Sequence, residues 1–461
     1  MHFAISNFPK ESAKAVWLII ATGVVLRIVL FATNPPNNGY DDYLEPVALT
    51  AENQLTLRRR LAPNECWECY QPPVYLEAAG ATLNVTRIMG LDFWWRWKAV
   101  QSISLLASIG ALFFGTAFLI KSELISHRGQ IVAIALLAYT PRCIFTSSFV
   151  SNDALLDFFV SVSTYGFLVS WRSPSIKNYV LLAASVATAA WVKQSGLICV
   201  VYLVTLLIRD GSLRKSDNGN RVLLGKSILL LAIFLSLTDE AIRSAQTGTF
   251  LASNQNFFNW AVNQPPGDAS LSMTLLPSIR PYLLDPWLDL NSVDSLVTQL
   301  AARSWFDFEP RFIARGGTFM ALIGVAAISV GTLFLAGAIR GIVRMTYQGI
   351  RTKSLMILSI TCVGTAFLLT PAVQFFRLPY FSSMKFLFCE PAMPILALAS
   401  CIAVWPPQNR FSISGKVSIK ILVLALSALS TLIIASAAIR TNNFETAEIS
   451  GPMWQFPPLR Q

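Results

Sequence analysis

The segments AVWLIIATGVVLRIVLFAT (15–33), NPPNNGYDDYLEP (34–46) and NECWECYQPPVYLEAAG (64–80) decide the fold of this chain. The first is one apolar run close to the ~20 residues that an α-helix needs to cross a bilayer. It lacks a clear small-residue cleavage site, so we interpret it as an uncleaved signal-anchor. A polar loop follows directly, with an acid pair, Asp41-Asp42, and a Pro-Pro-X-Tyr corner at 72–75.

The rest of the chain is also strongly apolar. Of its 461 residues, 54% are hydrophobic and 13% are charged, and the mean hydropathy is +0.53. Soluble domains carry about 25% charged residues, so the composition predicts an all-α polytopic membrane protein. We expect about eleven transmembrane helices, near residues 15–33, 98–120, 129–147, 154–171, 178–192, 196–209, 223–241, 316–340, 354–374, 386–405 and 418–438.

The net charge of +11 is unevenly distributed. With a cytoplasmic N-terminus, the segments on the inner side hold 18 of the 36 Lys and Arg residues and only four acids, and the remainder is slightly acidic. Basic loops mark the cytoplasmic side of a membrane protein, so the charge reports topology and excludes a nucleic-acid partner. The inner basic residues are Lys10, Lys14, Lys121, Arg128, Arg172, Lys177, Arg209, Arg214, Lys215, Arg221, Lys226, Arg340, Arg344, Arg351, Lys353, Arg410, Lys416 and Lys420.

This topology divides the chain into three parts. Residues 1-240 form an N-terminal membrane module with a first outer loop (34-97) and a second outer loop (142-153). Residues 241-315 are a third outer region, and residues 316-461 hold the C-terminal transmembrane helices and a short tail. The first outer loop predicts two surface helices, near 43–60 and 72–89, lying in the membrane interface. In the third region we find no helical periodicity before residue 292.

Cys66 and Cys69 are unlike the other five cysteines, which lie singly in apolar runs. Both fall in the first outer loop, where an oxidising compartment would favour a local disulfide. A structural zinc site needs four ligands, and this motif supplies two. A disulfide, free thiols and a metal site therefore remain open alternatives.

Titratable residues from separate loops fall at the outer ends of the predicted helices. Cations there would neutralise a phosphate, a carboxylate would accept a proton from a hydroxyl, and a divalent metal ion (Mg, Mn or Zn) could bridge the two. The pattern favours a reaction at a lipid phosphate. The acids are Asp41, Asp42, Glu45, Asp153 and Asp157, and the cations are Lys193, Arg377 and Lys385.

Six of these residues also have a structural interpretation. Asp41 and Asp42 would suit an ordinary turn, and Asp153 or Asn152 would suit a helix N-cap. Lys193, like Arg377 and Lys385, would suit snorkelling to headgroups.

Two further charged residues and the two histidines complete the set of titratable residues considered. Arg27, inside the first span, would snorkel or pair with a loop acid, and we expect Glu390 to pair with Lys385. The only histidines, His2 and His127, fall on the inner side, so histidine base chemistry at the outer face is excluded.

The order of these motifs resembles the membrane glycosyltransferases of the C superfamily, above all the group with protein O-mannosyltransferases and the lipid A aminoarabinose transferase. Asp41-Asp42 stand where that group has an acidic motif after the first span. Four later motifs of that group are matched by four segments of this chain. These are Gln71 before Pro72-Pro73, Ser151-Asn152-Asp153-Ala154, Lys193-Gln194-Ser195-Gly196 and, loosely, Lys385-Phe386 leading to Pro391. The chain departs from the pattern with a neutral Gln71, with Lys385 in place of Arg, and with Glu45 near the place of a histidine.

The resemblance implies an inverting sugar transfer from a polyprenyl-phosphate sugar donor to an acceptor hydroxyl on the outer face. Asp41 or Asp42 would be the base, and Asp153 would orient the acceptor or, with Asp42, bind a metal. Lys193 with Lys385 or Arg377 would bind the donor phosphate.

The remaining roles and partners follow from the same resemblance. Gln71, Tyr75, Glu45 and Asp157 would contact substrate. The expected partners are the bilayer, the donor, and an acceptor glycolipid, glycan or protein, in a multi-pass protein of a bacterial inner membrane. A transporter or flippase of a lipid-linked sugar, and a non-catalytic subunit of a polysaccharide assembly complex, are the alternatives.

Overall fold

The computed structural model describes residues 10–35, 43–56, 61–212, 219–252, 256–257, 276, 295–305, 317–377, 385–402, 404–405 and 416–442. Within those ranges the chain is α-helical with short 3-10 turns, so the predicted all-α class is confirmed. The helices are α1 Lys10–Thr33, α2 Leu44–Leu55, α3 Pro73–Ile88, α4 Phe93–Ser122, α5 His127–Tyr139, α6 Pro141–Thr146, α7 Asp153–Arg172, α8 Ile176–Val192, α9 Val200–Ser212, α10 Gly219–Thr247, α11 Leu296–Trp305, α12 Gly317–Thr352, α13 Leu355–Arg377, α14 Met393–Ile402 and α15 Lys416–Asn442.

Six of the helices are long and apolar enough to cross a membrane. They cover Glu11–Thr33, Phe93–Ser122, Asp153–Arg172, Leu322–Thr352, Leu355–Phe376 and Ile419–Ala438, and each coincides with a predicted span. Three shorter apolar helices lie at Ile176–Val192, Gln194–Arg209 and Glu390–Ile402. The chain is therefore an integral multi-pass membrane protein, and the larger count of about eleven stays a prediction.

The hydropathy predicted one helix over the apolar run 129–147, but the structure divides this run into two helices. Helix α5 ends at Tyr139, and the short helix α6 begins at Pro141. A residue before proline is pushed out of the helical region by the proline ring, and Thr140 between them is extended, with ψ 114°. The break turns residues 141–152 towards the end of the bundle that carries Asp153.

The first outer loop forms the two surface helices expected from the sequence. Helices α2 and α3 pack against each other so closely that a Cβ at Gly80 would lie 3.1 Å from the Ala51 nitrogen. Helix α3 also packs on α4, whose N-terminus is capped by Asp92, which accepts a hydrogen bond of 3.0 Å from the Trp95 amide. Phe93 and Trp95 beside this cap are exposed, as expected of aromatic residues at the headgroup level.

The two halves of the described chain pack into one helical body. In the first half, α4 packs on α7 and α7 on α8. In the second half, α11 and α14 both pack on α12, and α14 also packs on α5 of the first half. The turns Phe386–Phe388 and Glu390–Ala392 precede α14 and contact α11 and α7, respectively. Residues far apart in sequence therefore meet at one end of the bundle.

Candidate functional site

Asp153 and Lys193 form an ion pair at the end of the bundle where α7 begins and α8 ends. The Lys193 Nζ donates to Asp153 Oδ1 at 2.5 Å, and the two side chains are 13% and 4% exposed, in the order Lys193 and Asp153. Asp153 Oδ2 is buried without a hydrogen-bond partner. The lysine also lies over the Phe388 ring, at 5.7 Å from its centroid. Lys193 therefore bends inward to a carboxylate rather than snorkelling, and Asp153 keeps one oxygen for another donor.

The position of Lys193 depends on a tight turn at the end of α8. Lys193 is extended, and its carbonyl accepts from the Gly196 amide at 2.8 Å as the 3-10 segment Gln194–Cys199 begins. A Cβ on Gly196 would lie 2.2 Å from the carbonyl of Ala189, far inside contact distance. The glycine of the Lys-Gln-Ser-Gly motif is thus required by close backbone packing.

Asp157 and Glu390 form a carboxyl pair one helical turn further into the bundle. One oxygen of each carboxyl group, Asp157 Oδ1 and Glu390 Oε1, is buried without a hydrogen-bond partner among the described residues. Glu390 Oε2 accepts from Thr146 at 2.8 Å and lies 3.7 Å from Arg142 Nε. Arg142 and Thr146 of α6 therefore hold Glu390, and with it the segment before α14, beside α7.

Both ends of the loop that carries Asp41-Asp42 are held near this site. On the N-terminal side, Asn34 donates to the carbonyl of Ser148 at 2.6 Å, and Gln101 donates to the same carbonyl at 2.5 Å and to that of Pro35 at 3.3 Å. Lys98 of α4 donates to the carbonyls of Asn34, at 2.7 Å, and Phe31. Ser148 lies in the segment leading to Asp153, so α1 ends against that segment.

On the C-terminal side of the same loop, Tyr43 packs edge-on against Tyr75, with ring centroids 5.8 Å apart. Both rings are fully buried, and the Tyr75 hydroxyl lies near Ser104 and Asp153. Burial raises the pKa of Tyr75 well above its ordinary value, and the charge of Asp153 adds to the increase, so its hydroxyl stays protonated. Tyr75 therefore offers a neutral donor beside the acid of α7.

Gln71 lies in a compact turn closed by a disulfide between Cys66 and Cys69, which settles the three alternatives for these cysteines. Its amide nitrogen donates to Glu68 at 2.9 Å and to the Tyr70 hydroxyl at 2.7 Å, and its Oε1 is buried without a hydrogen-bond partner. Arg243 of α10 donates to the Tyr70 carbonyl at 2.9 Å. The turn is thus fixed at both ends, with an amide oxygen of Gln71 left to accept a hydrogen bond.

The remaining predicted site residues are placed unequally. Asp41 and Asp42 lie outside the described residues, and Arg377 ends α13 with its side chain outside them. Lys385 is buried, at 7% exposure, and starts the turn Phe386–Phe388, whereas Glu45 is exposed on α2.

Three structural interpretations from the sequence are corrected by the contacts. Neither Asn152 nor Asp153 caps α7 with its side chain, because Asp153 binds Lys193 and the Asn152 amide donates to the Val192 carbonyl at 3.0 Å. Arg27 does not reach the headgroups, since it is buried against Ser108 and the carbonyls of Gly23 and Ala138.

The third correction concerns Glu390. It forms its ion pair with Arg142, where the sequence suggested Lys385. The sequence did not suggest Arg142 as the partner of Glu390, because Arg142 lies inside the apolar run of the predicted span 129–147. Pro141, directly before it, was a signal that the helix ends there.

Arg303 of α11 is a second cation that the sequence analysis missed. It is 3% exposed, and its Nε donates to Gln299 one turn earlier at 2.9 Å. The surrounding loop is polar, so nothing in its composition distinguished Arg303 from a solvated residue. The spacing of Gln299 and Arg303 on one helical face was the available signal.

The described residues do not fit a metal centre. They contain no group of three His, Cys, Asp or Glu side chains that could hold an ion, and one oxygen of Asp153 is taken by Lys193. Asp42, the other predicted ligand, lies outside the described residues.

Comparison with known proteins gives structural similarities and no sequence match. No protein-family model and no curated protein matches the chain. The apo oligosaccharyltransferase of Archaeoglobus fulgidus aligns with 93% of the chain at a TM-score of 0.48 and 11% identity, and the chain spans 56% of its length. Apo ArnT from Cupriavidus metallidurans aligns with 92% of the chain at a TM-score of 0.48 and 13% identity, and the chain spans 74% of it.

Both identities are below 25% and both TM-scores are below 0.5, so the resemblance stated from the motifs stays a prediction. A further ArnT structure, bound to undecaprenyl phosphate, aligns at a TM-score of 0.44 and 13% identity. Similarity at this level concerns the path of the helices, and the argument for activity therefore rests on the site.

Proposed function

We propose that this protein is an integral membrane glycosyltransferase that moves a sugar from a polyprenyl-phosphate donor to an acceptor hydroxyl on the outer, periplasmic or exoplasmic, face. One observation carries the proposal. The Asp153–Lys193 pair lies at the end of the bundle to which both flanks of the Asp41-Asp42 loop are anchored. We propose that acids and cations from four separate chain segments act on one substrate at this end of the bundle.

The anchoring contacts support Asp41 or Asp42 as the catalytic base. Only seven residues, 36–42, separate Pro35, which accepts from Gln101, from Tyr43, which packs on Tyr75. Each residue of an extended chain spans at most ~3.6 Å, and we propose that this short connection brings Asp41 or Asp42 within reach of the substrate. A carboxylate held beside a membrane end can accept the proton of a bound hydroxyl.

In the proposed reaction the acceptor O–H proton passes to Asp41 as the oxygen forms a bond to the anomeric carbon of the sugar. The bond from that carbon to the phosphate oxygen breaks, and the polyprenyl phosphate leaves with the electron pair. Attack from the side opposite the phosphate inverts the anomeric carbon. Lys193, with Lys385 or Arg377, stabilises the charge that develops on the leaving phosphate.

The other residues position the two substrates. The free oxygen of Asp153 would accept a hydrogen bond from the acceptor, and the buried oxygen of Gln71 and the hydroxyl of Tyr75 offer one acceptor and one donor. Asp157 supports the site through Glu390, while Glu45 is an exposed contact at the loop edge. A divalent metal ion on Asp42 and Asp153 would polarise the phosphate, but no step above requires it.

The location and partners follow from the same proposal. The basic loops place the N-terminus in the cytoplasm and the site at the outer face of a membrane, with a bacterial inner membrane as the expected setting. The acceptor is a glycolipid, a glycan or a protein, and the transferred sugar is a hexose or pentose.

A transfer assay with purified protein tests the proposal. Radiolabelled polyprenyl-phosphate sugars are incubated with candidate acceptors, with and without chelator. Because general-base catalysis contributes about 10²–10⁴-fold, Asp41→Asn should lower transfer by at least ~100-fold without changing insertion or folding. Glu52→Gln, an exposed acid of α2, is the matched control and should transfer normally.

Two outcomes would overturn the proposal. Movement of labelled lipid across the bilayer, with no glycosidic bond formed by any donor, would indicate a transporter or flippase. Full function of the assembled machinery when both Asp41 and Asp153 are replaced would indicate a non-catalytic subunit.

A further inference from the structure

Arg303 is a buried arginine whose guanidinium is only partly satisfied. Its side chain lies on α11 at 3% exposure, and its Nε donates to Gln299 at 2.9 Å. Its Nη2 is buried and has no hydrogen-bond partner among the described residues. A buried donor without a hydrogen-bond partner lowers the stability of the folded protein by about 1–3 kcal/mol, and by more when the group is charged. Such an atom is therefore expected to have a partner in the working protein.

The packing of α11 shows which way Arg303 faces. A Cβ at Gly331 of α12 would meet the Ala301 carbonyl and the Ser304 hydroxyl, so these two residues mark the face of α11 that packs on α12. Gln299 and Arg303 are each two positions from Ala301, about 200° around a helix of 3.6 residues per turn. They face away from α12, and α11 also contacts α6 and the turn Phe386–Phe388.

Those two neighbours belong to the site already described. Helix α6 carries Arg142, and the turn Phe386–Phe388 follows Lys385 and carries the Phe388 ring beneath Lys193. The charges of Arg142 and Lys193 are balanced by Glu390 and Asp153, respectively. Arg303 differs, because no carboxylate lies within ion-pair distance among the described residues.

We propose that Arg303 binds the phosphate of the lipid-linked donor and holds it during transfer, an inference that rests on the function proposed above. A guanidinium is planar and always charged, and its parallel N–H groups match the oxygens of a phosphate. The hydrogen bond from Nε to Gln299 fixes the plane of this fork and leaves Nη2 for the ligand. The helix α11 would thus supply the third outer region with a direct role in donor binding.

Binding of farnesyl phosphate, compared with farnesol, tests this role without requiring turnover. The two probes share the isoprenoid tail and differ in the phosphate. In the purified wild-type protein, farnesyl phosphate should raise Tm more than farnesol does. Arg303→Gln should abolish this difference and weaken farnesyl phosphate binding by about 10-fold or more, while farnesol binding is unchanged.

The stability of the ligand-free protein separates a binding role from a structural one. Removing an uncompensated buried charge relieves a cost, so Arg303→Gln should leave Tm of the empty protein unchanged or raised. Arg303→Lys keeps the charge without the fork and should bind farnesyl phosphate with intermediate affinity. The control Arg96→Gln removes an arginine in the first turn of α4 and should keep wild-type affinity. The Nε of this arginine donates to the Leu91 carbonyl.

The binding and stability results distinguish the role of Arg303 from the proposed function of the protein. Wild-type affinity of Arg303→Gln for farnesyl phosphate, or a lowered Tm of the empty variant with the phosphate preference kept, overturns the role of Arg303 and leaves the proposed function standing. If Arg303→Gln does not fold, wild-type affinity in Arg303→Lys overturns it instead. A wild-type protein that does not distinguish farnesyl phosphate from farnesol overturns the donor class itself.

Discussion

At the scale of single residues, Asp153 and Lys193 hold the centre of the site. They come from helices whose contact could not be deduced from hydropathy, yet each was singled out because it is charged at the end of an apolar run. The sequence suggested different tasks for the two residues, whereas in the structure each is the partner of the other. A phosphate that binds Lys193 would have to share that lysine with Asp153 or displace its carboxylate.

The substitution Asp153→Asn should lower the free energy of unfolding. The neutral amide would leave the Lys193 charge without its carboxylate, and breaking a buried ion pair costs about 3–5 kcal/mol. We expect the lower end of that range, because the Lys193 side chain keeps 13% of its surface exposed. Thermal unfolding in detergent measures the loss.

The double variant Asp153→Asn with Lys193→Met supplies the control. Removing both charges should recover most of the lost stability, since an apolar replacement of a buried pair is often neutral. Transfer should stay abolished in both variants if the residues act on substrate. Recovery of transfer together with stability would limit the pair to a structural role.

At the scale of secondary structure, the sequence predicted the parts with strong periodicity or long apolar runs. The surface helices α2 and α3 and the six long spans lie where they were expected. Helix α11 lies after residue 292, the part of the third outer region where the sequence did not argue against a helix, and Leu296, Val297, Leu300 and Ala301 follow helical spacing there. The division of 129–147 into α5 and α6 depends on Pro141, a local signal weaker than the apolar run around it.

Gly196→Ala tests whether the turn after α8 positions Lys193. The added methyl would lie 2.2 Å from the Ala189 carbonyl carbon, and backbone cannot yield as a flexible side chain does. We expect overpacking to cost about 1–3 kcal/mol and to shift Lys193 away from Asp153. Transfer activity should fall by at least ~10-fold, since about 1.4 kcal/mol is tenfold in rate.

Ser195→Ala, in the same turn, provides the comparison for this variant. Ser195 is only partly buried, and its replacement adds no atom. Normal transfer in Gly196→Ala, with unchanged thermal stability, would contradict the role of the turn.

At the scale of the whole molecule, the site joins the first and second halves of the chain. Glu390 precedes α14, and it contacts Arg142 and Thr146 of the first half. The sequence could suggest this only as an acid at membrane depth, since the partner of a buried charge is set by tertiary packing. The exposed pair of Arg172 with Glu123 lies where α7 ends and α4 ends, at the opposite end of the bundle.

Glu390→Gln should loosen the second half of the chain from the first. Arg142 would face a neutral amide, and we expect a loss of about 3 kcal/mol or more for a pair whose side chains are 2% and 1% exposed. Hydrogen exchange should rise in residues 385–402. The matched variant Glu123→Gln breaks an ion pair whose acid is 73% exposed, and should cost at most about 1 kcal/mol. Equal effects of the two substitutions would argue against this coupling.

The bond between Cys66 and Cys69 bears on how the protein is made. Such a cross-link is rarely stable among the reducing thiols of a cytosol. A freshly inserted chain must therefore meet a thiol oxidase before the segment ahead of Gln71 is complete. Biogenesis of the mature protein would then depend on the oxidative machinery of the compartment into which this loop emerges, and a host that lacks it would accumulate an immature form.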